Sequence, residues 1–263
     1  MKLIWKISLI LVAAVSVSAQ TGDSARLDSI INKVIAVRDA EIAKINDLKM
    51  DAVSYEKRED GDGNVKETKK YVKTVFLKKG EDGKYIYGEE YTGYFVDGVR
   101  QDDKQLPKVA EERADRKKKR GGKDIAFDIV SILRPETRKY YNVTYDGLSP
   151  KPIDDFPCYV IRAVADTVHT AADILDTLVN ITYYIDTASY HVVRAEFAPA
   201  SLISRFMFKM SELDMSLDYE PYDETIWVSR RFHIKGRAKA MYFMGIYFEG
   251  EEVYSNPVVN GGK

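Results

Sequence analysis

The side chains best suited to chemistry in this 263-residue chain are few and scattered. His169, His191 and His233 are its three histidines, and no two of them have the close spacing that a metal site uses. Cys158 is the single cysteine, with no neighbouring Cys or His. It follows Phe156-Pro157 and opens an apolar run, so it reads as a small buried hydrophobe and not as a nucleophile. His191 and His233 alternate with apolar residues on strand-like runs and are expected to face solvent. Carboxylates gather at Asp154-Asp155, where a turn is expected, and from Asp214 to Asp218, at the alternate spacing of a wet strand face. The chain has no Gly-x-Ser-x-Gly, no phosphate loop and no dinucleotide fingerprint. These residues predict a non-enzymatic protein and imply neither a metal nor another cofactor.

The compartment is read from the first twenty residues. Met1 to Lys6 is a short basic start, Ile7 to Val15 is uncharged and mostly aliphatic, and Val17-Ser18-Ala19 places small residues at −3 and −1 of a cleavage site. The apolar stretch is short for a ~30 Å hydrocarbon core. Residues 1–19 are therefore expected to be a signal peptide, and residues 20–263 a single exported domain, periplasmic or secreted, without stable membrane insertion. Across the whole chain 40 basic residues meet 41 acidic ones, which gives no electrostatic reason to expect nucleic acid as a partner. One cysteine excludes an intramolecular disulfide, so stability must come from an ordinary hydrophobic core.

The elements that would position a site are mainly β. Asp23 to about Lys49 reads as one amphipathic helix, with Leu27, Ile31, Val34, Ile35, Ile42 and Ile45 on one stripe. Three strand-like runs follow, Val53 to Glu59, Val65 to Lys79 and Tyr85 to Val99, separated by Asp60-Gly61-Asp62-Gly63 and Gly80-Glu81-Asp82-Gly83. Residues 100–123 are densely charged and read as a solvated helix end and a mobile insertion. Ile125 to Leu133 reads as a short helix stopped by Arg134-Pro135. Further strands are expected at Tyr140 to Tyr145, Cys158 to Ala165, Val179 to Asp186, Tyr190 to Ala198, Ile203 to Tyr219, Thr225 to Lys235 and Arg237 to Tyr254, with a turn at Lys235-Gly236. The short intervals predict an antiparallel meander. A phase slip near Ser211-Glu212 predicts a β-bulge, and apolar residues on both parities of the last strand predict a central strand covered on both faces.

Long bulged strands curve, and a curved sheet has a concave side that its own side chains cannot fill. The expected lining is Phe206, Phe208, Met210, Phe232, Ile234, Tyr242, Met244 and Phe248. Aromatic and Met side chains adapt to varied acyl shapes, so this side suits an apolar ligand, a lipid or a lipidated protein. The alternative is that the same residues form a core against the N-terminal helix. The protein is then an envelope module that binds another protein through strand edges or the basic run 113–120.

Leu133-Arg134-Pro135-Glu136, Tyr140-Tyr141-Asn142-Val143, Pro157-Cys158-Tyr159-Val160-Ile161 and the hairpin from Tyr184-Ile185-Asp186 to Arg194-Ala195-Glu196 form a further pattern. Over residues 125–255 the chain resembles the bacterial outer-membrane lipoprotein-sorting proteins, the LolA-like periplasmic group. The resemblance implies an α+β fold, mainly antiparallel β: an open, strongly curved half-barrel with an N-terminal helix and short helices over its concave face, and a cavity for lipoprotein acyl chains. The chain departs from the pattern in its charged 100–123 insertion and long early hairpins, and no ligand-contacting residue of the group carries over to a position here.

Overall fold

Helix α1 spans residues 24–44, and its apolar stripe fixes where it lies. Leu27, Ile30, Ile31 and Val34 are all buried, and they pack on one side of a large sheet against Ile161, Tyr183, Ile185, Val193, Ala195, Leu217 and Trp227. Each such side chain contributes roughly 1.5–3 kcal/mol on burial, so this layer is the main source of stability. The computed structural model describes residues 24–81, 83–119, 128–166, 179–200, 204–205, 208–240 and 244–261. The signal-peptide expectation for residues 1–19 lies outside them.

The helix ends earlier than its periodicity predicts. Strand β1 already starts at Asp47, so the stripe residue Ile45 belongs to the connection. Asn260 meets the chain at this break. The Asn260 side chain accepts from the Asn46 N–H at 2.7 Å and donates to the Lys44 carbonyl at 2.7 Å. It thereby satisfies groups that a helix end leaves open.

Twelve strands form one antiparallel sheet among the described residues. They are β1 Asp47–Asp60, β2 Val65–Lys79, β3 Tyr85–Val96, β4 Val99–Arg100, β5 Tyr141–Leu148, β6 Cys158–Ala165, β7 Val179–Asp186, β8 Val192–Pro199, β9 Ser204–Arg205, β10 Phe208–Pro221, β11 Trp227–Ala240 and β12 Met244–Val259. The spatial order is β4-β3-β2-β1-β12-β11-β10-β8-β7-β6-β5, with β9 pairing β10. Two meanders, β1 to β4 and β5 to β12, therefore meet where the first strand pairs with the last. The sheet is curved and does not close, as the open half-barrel expectation requires.

Local chemistry sets the turns. The Asp60 carboxylate accepts from the backbone N–H groups of Asp62 and Asn64 at 3.0 and 2.9 Å, closing the first hairpin. Asp97 and Gly98, at φ 49° and 81°, make the tight turn from β3 to β4. The predicted bulge is present: the β10–β11 register shifts between Met210 and Glu212.

Several expectations need correction. Lys235-Gly236 is no turn, because β11 runs through it to Ala240. Gly236 is there to admit a ring, since a Cβ at that position would overlap the Phe248 side chain from the neighbouring strand. Arg134-Pro135 does not simply stop a helix. A 3₁₀ turn at Ser131–Leu133 gives way to helix α3, Pro135–Arg138, with the proline in its first turn. Most of the charged 100–123 segment is ordered as helix α2, Leu106–Lys119. β12 does lie near the middle of the sheet, yet its residues 245–252 are half-exposed and not covered on both faces.

Candidate functional site

Cross-strand register assembles the site. On one side of the sheet, β10, β11 and β12 present four rows: Leu217, Phe232 and Glu252; Met215, Ile234 and Gly250; Leu213, Gly236 and Phe248; Met210, Ala238 and Ile246. The rows lie on the side that α1 covers, and they start beneath it: Leu217 is buried in the α1 core, with Met215 and Phe232 packed at its edge. Beyond that edge the apolar series continues without full cover. Met210, Leu213, Ile234, Ile246 and Phe248 are all half-exposed. Gly236 and Gly250 keep the floor open there, because a Cβ at either would press on Phe248 or on Ile234.

Of the eight lining residues expected from the sequence, Met210, Phe232, Ile234 and Phe248 thus meet on this strip. Phe206 and Tyr242 lie outside the described residues, as do the side chains of Phe208 and Met244. The backbone register pairs Phe208 with Ala240, and Ala240 with Met244. Leu213, Met215 and Ile246 join the strip without having been expected in it. The alternation of Leu213 and Met215 with polar neighbours was the available signal, whereas Ile246 lies in a strand that is apolar on both parities.

Across the sheet the same rows turn polar. Glu252, Gly250 and Phe248 of β12 pair with Ser54, Glu56 and Arg58 of β1, which pair in turn with Tyr71, Lys69 and Glu67 of β2. Lys73, only 1 % exposed in its side chain, places its ammonium 2.8 Å from both Glu89 and Glu252. Tyr87 and Tyr91 each donate a hydroxyl to Glu89 at 2.5 Å, and Ser54 donates to Glu252. Burial alone would raise the Glu89 pKa. The Lys73 charge and the hydrogen bonds from Lys73, Tyr87 and Tyr91 outweigh it and hold the group at about 2. Helix α2 reaches this end through Arg113, which pairs with Glu56 and stacks 4.4 Å over the Tyr71 ring.

The other face of the sheet is charged. A groove of about 560 Å³ crosses it, bordered by Tyr55, Arg194, Arg231, His233, Glu249 and Glu251 among others, and by none of the eight expected residues. His233 approaches Glu249 at 3.3 Å and is half-buried. Asp218 does not sit on a wet face. It is 1 % exposed, held by the Arg194 guanidinium at 2.5 Å and by Arg231 at 2.7 Å. His191 is also buried, against expectation, and stacks on Trp227. Cys158 is buried as expected, and burial pushes its thiol up to about 11. Asp154 and Asp155 occupy their turn at positive φ.

Among the described residues no cluster of three or more His, Cys, Asp or Glu side chains could hold a metal ion. No helix among them is long and apolar enough to cross a membrane. No protein-family model and no curated protein matches the chain. Among solved structures, the chain is similar to the crystal structure of a DUF1329 family protein from Desulfovibrio piger. The identity is 11%, the TM-score 0.40, and the match covers 90% of this chain and 94% of that one.

Proposed function

We propose that the protein is an exported, non-enzymatic carrier that holds an apolar ligand, a lipid or the acyl chain of a lipoprotein, on the helix side of its open sheet. The supporting observation is the strip Met210, Leu213, Ile234, Ile246 and Phe248, apolar and half-exposed beyond the edge of the α1 core. A chain molecule laid along it gains about 0.8 kcal/mol per buried methylene. The test is titration with fluorescent fatty acyl probes of increasing length. Affinity is expected to rise about fourfold per methylene over the length of the strip. The double substitution Met215→Gln, Ile234→Gln should weaken binding at least tenfold, while Tyr55→Ala on the far face leaves it unchanged. Folded wild-type protein that takes up no probe overturns the proposal.

A second reading has its own support. Ile31 and Val34 of α1 are each only 1 % exposed, so the helix closes half of this side tightly, as a plugged envelope interaction module would. Deleting Glu111 to Gly122 separates the two. Loss of a co-purifying envelope protein, with folding and probe uptake intact, favours the module.

A further inference from the structure

Helix α1 is not held to the sheet by apolar contacts alone. Near its C-terminal end Arg38 and Glu41 turn inward, and Glu41 is 2 % exposed. The Glu41 carboxylate accepts the backbone N–H of Trp227 at 2.6 Å with one oxygen and is 2.5 Å from the Arg38 guanidinium with the other. Directly below lies His191, 7 % exposed, its ring stacked on the Trp227 indole at 5.1 Å and 11°. The His191 ring has only the Thr225 backbone within loose reach, and the buried Tyr219 hydroxyl only Ser229; among the described residues neither group makes a hydrogen bond of good geometry. These groups border a void of about 20 Å³ between α1 and the sheet, room for one water molecule.

Buried polar atoms are rarely left without partners, and an imidazole in this state is neutral. A proton would turn it into a buried cation. The charged and titratable groups around it are Arg38 and Glu41 from α1, Asp186 at the end of β7, Tyr190 beside it in the chain and Tyr219 from β10, with Asp128 acting on the cluster through Arg38. The two carboxylates nearest in influence are already engaged. Glu41 binds Arg38 and Trp227, and Asp186 accepts from the Ser189 backbone and hydroxyl at 2.7 and 2.6 Å.

We propose that His191 is an acid-sensitive latch for α1: neutral, it lets the helix seat on Trp227; protonated, it loosens the helix from the sheet. The device does not depend on what the apolar strip binds. Its direction follows from linkage. Burial lowers the His191 pKa and Arg38 adds to this, while Glu41, the Thr225 backbone and Asp186 oppose it and burial wins. A group depressed in the folded state contributes stability that is fully present above its unfolded pKa, about 6.5. That stability is lost as the pH falls below this value toward the folded pKa.

The experiment is amide hydrogen exchange, expressed as protection factors so that intrinsic pH effects cancel, at pH 7.5 and pH 5.0. Residues 27–41 of α1 are expected to lose protection by up to about thirtyfold, the limit set by working about 1.5 pH units below the unfolded pKa. The amides of β6 and β7 hold theirs. His191→Phe, which keeps a ring on Trp227 and cannot titrate, should abolish the difference, and His191→Asn serves the same purpose if the Phe variant does not fold. In the wild-type protein the His191 ring resonance should titrate at the lower end of this window, where the loss of protection levels off. Unchanged α1 protection at pH 5.0, a drop that survives both substitutions, or a loss that continues to grow below the pH at which the ring itself titrates would each overturn the latch. The last two outcomes would assign the effect to a group other than His191.

Discussion

At the scale of single residues, Lys73 shows how polar side chains shape this sheet. It shares one face of β2 with Tyr71 and Val75, a lysine in an otherwise apolar buried series. Its partners Glu89 and Glu252 come from β3 and β12. Removing one member of a buried ionic group costs about 3–5 kcal/mol, because the others stay behind uncompensated. Lys73→Met is therefore expected to destabilise by that amount in urea unfolding, and adding Glu89→Gln to recover a large part of it. The Glu89 carboxyl, held at about 2 against its usual 4.5, gives stability that is present above pH 4.5. Up to about 3 kcal/mol of it is lost as the pH falls toward 2. An acid-unfolding profile that is flat across this window would contradict the assignment. None of this pairing was legible in the sequence. Spacing sets Lys73 in an apolar row with Tyr71 and Val75, but β-periodicity gives a residue's face and not its cross-strand neighbours. Asp218 and His191 were misread for the same reason. Their alternation suggested solvent, whereas two arginines cover the first and α1 covers the second.

At the scale of elements, the fully buried stripe of α1 makes a quantitative demand. Ile31, 1 % exposed in the main core, should cost about 2–5 kcal/mol on substitution by Ala, read as a lowered urea midpoint with an unchanged slope. Asn260→Ala should cost about 1 kcal/mol by opening the end of the same helix, with increased exchange confined to residues near 42–48. β6 and β7 begin and end where the sequence places them, because each is a short apolar run bounded by clear turn residues. The β11–β12 boundary was not legible. A glycine inside a strand looks like punctuation, and only the Phe248 ring beside it explains why Gly236 lies in mid-strand. For the candidate site, four of the eight expected residues can be placed on the strip, since the alternation of β10 to β12 survives the bulge.

At the scale of the molecule, two meanders joined by the β1–β12 pair make a single curved sheet with α1 over one half and α2 over the other. Local patterning predicts each meander but not the junction, because no short connection links the first strand to the last. The junction carries the whole: truncation after Gly250 removes half of β12 and should leave no cooperative unfolding transition, while ending the chain at Gly261 should have no effect. What the arrangement provides is an apolar strip continuing past its own helical cover. Methyl NMR with a spin-labelled acyl chain tests that most directly. Selective broadening of the Met210, Leu213, Met215, Ile234 and Ile246 methyls is expected, with Ile31 and Val34 unaffected. Broadening of Val53 and Val253 on the charged face instead, or of no methyl at all, would contradict it.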